Sequence, residues 1–555
     1  MNRIKTPGGL QKQPGILLSV AMCLLSMTLF AQRDTARKPA IDITSSYKPV
    51  LRNAVKINFS GSQLVTDTAR PKLSYNIPSQ NLFYSYQPVS LKPLELAQDT
   101  NLYLGNRNFL KAGFGSYSTP FAAAGISIGD GKTSLINIYG NYIASKGEIE
   151  NQDYSQLNIK ATGSFFTDKN EVYGSATLRN DDYYLYGYDH ALFDFKKQDI
   201  RQQLQDVTLF TGIRNTVSTA YRINYNPNVQ VNFFTNRNKA SETNVLINIP
   251  VEMKMGDAFN MKVDLKAEFT NYTTSGYIPD NIAFNNNLIQ FSPSLRYSKP
   301  LLSINAGLIP AWNNGEYKVL PNIYFEAQLQ EKTFMIQGGW IGRFIKNNYR
   351  NLTNINPYLD PVLSQANTKE TEFYGGIKAS LANHFNINAK ASFISYRDMP
   401  LFINDTASDS KSFIISNEPS MNNLRIHGDV SYINQDNFTL NAGFTLNGYT
   451  GLKVNNKAWN TLPLEVTGSV RWWAFKKFIL KSDLYVFGGG NALVKDNDIS
   501  SFEGGFDLSA GAEYKINKQF SAWLDVNNIL NNKYERWHNY PVYGINLLGG
   551  ILIRF

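Results

Sequence analysis

The chain has 555 residues with 54 Lys+Arg against 44 Asp+Glu, a formal charge of +10, 13% aromatic residues and one cysteine. The positive excess is spread along the sequence, without the clustered basic stripe that nucleic acid requires. One cysteine, Cys23, excludes an internal disulfide and a cysteine-based metal site.

At the N-terminus Arg3, Lys5 and Lys12 precede an apolar run over 16–30, and Ala31 stands before Gln32. This pattern predicts a secretory signal peptide over 1–31, too short and wrongly flanked to be a membrane helix. Cys23 follows Met22 inside the apolar run, not a small residue at its end, so lipidation is not expected. Over 32–106 Pro39, Pro49, Pro71, Pro78, Pro88 and Pro93 interrupt weakly patterned polar sequence. Proline cannot donate to a central ladder, so this segment is expected as an extended arm, periplasmic or lumenal.

From residue 107 to 555 the period is two. The clearest hairpin sets Val245, Ile247, Ile249, Val251 and Met253 against Met261, Val263, Leu265, Ala267 and Phe269, with Gly256-Asp257-Ala258 as its turn. The other face of its second strand reads Lys262, Asp264, Lys266, Glu268 and Thr270. A soluble core would not accept that charged row, whereas a solvated lumen would. The hairpin recurs through the Asn383-His384, Gln435-Asp436-Asn437, Lys476-Lys477 and Asn517-Lys518 turns. Longer polar connections lie between, at 183–201, 347–367, 400–422, 451–461 and 494–501. Short turns on one side and long loops on the other predict an all-β, transmembrane, antiparallel up-and-down β-barrel of about 22 strands. An even count places both termini on the short-turn side, expected to be the periplasm. After the leader no run reaches about 18 apolar residues, so any membrane crossing falls to strands.

The last strand carries Phe555, Ile553, Ile551, Gly549, Leu547, Ile545 and Tyr543 on one face. A lipid-facing row bounded by aromatics resembles the C-terminal assembly signal of Gram-negative outer-membrane barrels, with Phe555, Ile553, Ile551 and Tyr543 as its key residues. Outer-membrane lipid and the barrel assembly machinery are therefore the expected partners. Elsewhere Tyr183, Tyr184, Tyr186, Tyr188 and Asp189 open a long loop and are the candidate ligand-binding residues. Rings beside carboxylates suit a sugar or a cation, and an aromatic girdle suits them as well. The four histidines, His190, His384, His427 and His538, have no metal-ligand spacing, and no nucleophile motif appears. No catalytic residue, metal or cofactor is expected.

Asn528-Ile529-Leu530-Asn531-Asn532-Lys533-Tyr534 resembles the element before the last strand of TonB-dependent receptors. Pro541-Val542-Tyr543-Gly544 is similar to the step that leads into that strand, although Ile545 replaces the usual arginine. Gly113 to Pro120 resembles the first hairpin of plug-poor relatives. The resemblance covers 107–555 and implies a barrel of that family's size. Over 32–106 neither a plug motif nor a TonB box is recognisable, so TonB is not carried over as a partner. The expected function is uptake or passage of a solute across the outer membrane. The alternative is a non-transporting outer-membrane scaffold or assembly subunit, with a periplasmic or outer-membrane partner protein. Phe555→Ala is expected to lower the amount of heat-modifiable barrel in outer-membrane fractions, measured by gel shift and immunoblot. An unchanged amount would remove the assembly-signal reading.

Overall fold

The computed structural model describes residues 108–275, 281–329, 333–381, 384–408, 410–434, 437–494 and 498–555. The expected leader (1–31) and arm (32–106) lie outside the described residues, as do Asn383, Gln435 and Asp436 of two expected turns. The described chain is a closed antiparallel barrel of 22 strands. Neighbours in sequence pair along the wall, and the first strand, Phe109–Gly115, also pairs with the last, Asn546–Arg554. The seam extends one residue further, where Asn108 and Phe555 exchange backbone hydrogen bonds of 3.2 and 3.0 Å. One wall strand is interrupted: Ile223–Tyr225 and Asn228–Asn236 flank Pro227, which has no N–H for the ladder.

The expected hairpin forms in the expected register, with Val263 opposite Val251, Leu265 opposite Ile249 and Phe269 opposite Val245. Gly256 turns it at φ 66°, a left-handed conformation that suits glycine. Along Phe259–Thr274, Met261, Leu265 and Phe269 stand exposed on the outer wall, whereas Glu268 and Thr270 are buried on the inner one. The same alternation runs around the barrel, because successive side chains point to opposite faces. Gly125 to Thr133 also resolves into a hairpin: the Asp130 carboxylate accepts from the backbone N–H groups of Lys132, Thr133 and Ser134 at 2.7–3.1 Å. Those three donors hold its carboxyl below the usual range.

On the last strand Leu547, Ile551 and Phe555 are exposed on the outer wall, in line with the expected row. Tyr543 departs from it. It precedes the strand, and its buried ring packs among loops against Tyr117 and Tyr154. The ladder begins only at Asn546, so the parity of the strand does not set the facing of Tyr543.

Inside, one arc of wall is knitted by ion pairs. Arg343 lies 2.5 Å from Glu370, Lys390 2.6 Å from Glu372 and Lys378 2.6 Å from Glu326. Glu370 and Glu372 are almost without solvent contact, and the pairing offsets their desolvation. Leu265→Arg is expected to destabilise the barrel by about 2–4 kcal/mol, and Lys266→Arg to be close to neutral. Urea titration of folding into lipid vesicles measures both. Equal losses would contradict the assignment of faces.

Candidate functional site

The long loops share one rim. Two of them contain their own hairpins: Met399–Asn404 with Phe413–Glu418, and Gly490–Leu493 with Ile499–Phe502. The loop over 528–545 carries a third, Glu535–Trp537 with Tyr540–Pro541. Their rings converge. Tyr358 stacks on Tyr540 with centroids 3.4 Å apart, Tyr186 meets Tyr540 edge-on at 4.9 Å, and Trp537 sits between Phe402 and Phe413 at 5.3 and 5.5 Å. The edge-on contacts of Tyr186 and Trp537 are of the favoured aromatic geometry.

Four phenols in and around this cluster donate to a carbonyl on another loop, whereas the buried Tyr358 hydroxyl has no partner among the described residues. Tyr186 donates to Pro541 O at 3.0 Å, Tyr183 to Pro357 O, Tyr540 to Lys411 O and Tyr543 to Gln152 O. Burial pushes the Tyr186 hydroxyl up to about 12 and the Tyr358 and Tyr540 hydroxyls well above their ordinary value. All three stay neutral at physiological pH.

The candidate ligand residues therefore divide. Tyr183, Tyr186 and Tyr188 are buried in the loop cluster, and Tyr188 accepts from Asn151 Nδ2 at 3.0 Å. Tyr184 is half-buried under the Lys197 ammonium, 4.7 Å above its ring, and Asp189 is exposed at the loop edge, accepting from the Ala191 N–H at 2.9 Å.

Loop 346–367 reaches the inner wall. It descends through the short helix Tyr349–Ile355, capped by Asn348, whose side chain accepts from the Asn351 N–H at 2.9 Å. On the wall, buried Glu242 accepts from the Tyr349 and Arg350 N–H groups at 2.6 and 3.3 Å. A carboxylate at the first turn meets unpaired donors and the positive end of the helix dipole. Arg350 then reaches Asp206 at 2.7 Å, Arg179 donates to Asn354 at 2.7 Å, and Asn236 donates to the Tyr349 hydroxyl at 2.7 Å. At the loop's far end Asn367 donates to Asn286 and Asn313 at 2.6 and 2.7 Å. Burial pushes the Lys346 ammonium down to about 8, against the pull of Glu268 and Glu242, and its Nζ donates to Asn286 O.

Glu242 and Arg350 were not singled out from sequence. Two local signals mark them: a carboxylate on the inward row of its strand, and an asparagine placed to cap a short turn just before Tyr349-Arg350. Their pairing spans more than a hundred residues and has no local trace. The element over 528–534 is structural. Buried Asn528 donates to the carbonyls of Asn532 and Tyr543 at 2.8 Å each, and Tyr534 donates to Asp507 at 3.1 Å.

No family model and no curated protein matches the chain. Solved structures do. The ferripyoverdine receptor of the outer membrane of Pseudomonas aeruginosa, bound to ferripyoverdine, is 12% identical over 81% of this chain and 72% of its own, with a TM-score of 0.60. The FrpB iron transporter of Neisseria meningitidis is 9% identical over 82% of each chain, with a TM-score of 0.63. The copper transporter OprC is 12% identical over 81% of this chain and 83% of its own, with a TM-score of 0.62. The fold is the barrel of TonB-dependent receptors.

In this barrel the docked loop has separable anchors. Arg350→Ala leaves Asp206 buried without its partner and is expected to weaken docking by about 2–4 kcal/mol, the guanidinium keeping part of its water. The check is faster proteolysis within 346–367 at unchanged barrel melting. Lys346 gives a pH dependence. A lysine whose folded pKa is lowered opposes docking while charged. Between about pH 8 and the ordinary 10.5 docking should therefore strengthen as pH rises. Lys346→Met should flatten that trend when protection is compared with wild type at each pH.

Proposed function

We propose that the protein is an outer-membrane barrel that admits a solute, with its lumen closed at one mouth by its own loops. One observation carries this reading: loop 346–367 lies inside a polar lumen and is held there by side-chain contacts to Glu242 and Asp206, separate from the ladder that holds the wall. A closure that can be released without breaking the barrel suits a conduit. The similar folds of a ferripyoverdine receptor and of iron and copper transporters support a transport role. In this reading the long loops face the exterior, and both termini lie in the periplasm beside the short turns. Tyr183, Tyr186 and Tyr188 seal the mouth, while Tyr184 and Asp189 at its edge are placed to meet an arriving solute.

Planar-bilayer recording of the full-length chain tests the reading. Wild type is expected to conduct little, and the Glu242→Ala/Arg350→Ala double variant to show a several-fold larger conductance at unchanged heat-modifiable migration. No conductance in either protein would favour the scaffold reading.

A further inference from the structure

Beneath the helix, the inner wall holds a recess of about 530 Å³, within the span of about 300–1,000 Å³ usual for small-molecule sites. The register builds its floor. Asn141 lies opposite Asn158, Asn158 opposite Arg179, and Arg179 opposite Asp206, so four adjacent strands set one polar row across the wall. A second row brings Thr177 opposite Thr208. Arg350, descending from the loop, forms part of the rim.

Two features of this recess define what fits it. Its formal charges are matched internally: Arg179 Nε lies 3.0 Å from Asp181, and Arg350 lies 2.7 Å from Asp206. A charged ligand would have to displace one of these pairs, or sit beside a like charge without a free counter-charge. By contrast, the half-buried side chains of Asn141, Asn158 and Thr177 form no hydrogen bond to another described residue. Two amides and a hydroxyl together offer both donors and acceptors and carry no charge. That set matches hydroxyl groups, each of which also donates and accepts.

We propose that this recess binds a neutral, hydroxyl-rich solute of di- or trisaccharide size, recognised by Asn141, Asn158 and Thr177. The proposal rests on the passage reading only for its biological meaning, because the site exists whether or not the barrel conducts. The loop above it gives a reason for its position: Arg350 belongs both to the recess and to the contact that docks the loop. A solute held there lies directly below the segment that closes the mouth.

Isothermal titration of the full-length protein in detergent tests this directly, with maltotriose, xylotriose, mannotriose and galactotriose as neutral probes and citrate and trilysine as charged ones. At least one neutral trisaccharide should bind, and neither charged probe should match it. Asn158→Ala and Thr177→Val should each weaken that binding about tenfold, with heat-modifiable migration confirming an intact barrel. The proposal is overturned if no neutral trisaccharide binds, if a charged probe binds as tightly, or if both variants bind as wild type does. Binding without conductance in either bilayer protein would remove the passage reading and leave the site. Conductance without binding would do the reverse.

Discussion

Everything else in this molecule depends on the closure of one sheet. Within a bilayer no water is present to pair with an open strand edge, so every backbone donor and acceptor must be met by protein. The seam between Phe109–Gly115 and Asn546–Arg554 removes the two edges that 22 strands would otherwise leave. Its residues are small where the approach is tight: Gly113 faces Gly550, and a side chain on Gly550 would begin 1.9 Å from the Ala112 carbonyl. The glycines at this junction therefore follow from the geometry of closing, and so does the division of each strand into a lipid row and a lumen row.

Closure then creates a second problem. A wall of this size encloses more space than its own side chains can fill. The inner surface meets it differently on different arcs. From Glu316 to Arg397 long charged side chains pair across strands, as in Arg343 with Glu370 and Lys390 with Glu372. Between Tyr154 and Thr274 the inner row mixes amides and hydroxyls with ion pairs such as Arg179 with Asp181 and Lys266 with Glu268, and here loop 346–367 comes in. A helix of seven residues would not hold its shape alone in water. Glu242 at its first turn and Arg350 on Asp206 supply the fixed points that its length cannot.

The sequence carried the wall because lipid and water act on alternate residues all along it. Leu265 and Lys266 could be assigned to opposite faces from their neighbours alone, and the Gly256 turn fixed their register. The loops were visible only as gaps in that alternation. Their internal hairpins, such as Met399–Asn404 with Phe413–Glu418, answer to contacts distant in sequence and to no local period. Tyr543 shows the boundary between the two regimes: it continues the outward parity of the last strand, yet its ring is buried with Tyr117 and Tyr154. The tyrosines after Asp182 were legible as a cluster, but whether they faced a ligand or one another was decided by Tyr358 and Tyr540, far along the chain.

The choice of tyrosine in that cluster bears on how the mouth works. Phenylalanine would supply the same apolar area, but the loops have few ladder bonds of their own and leave carbonyls at Pro357, Lys411, Gln152 and Pro541 to be met. A phenol packs its ring and satisfies a carbonyl of a neighbouring loop at once. Each such bond contributes on the order of 1 kcal/mol net, and each joins a different pair of loops. The wall is held by one continuous ladder and yields only as a whole. The mouth is held by a handful of discrete contacts, so its parts can separate while the ladder stays intact. The same sheet that must never open in the bilayer thus carries loops held by contacts separate from its own ladder.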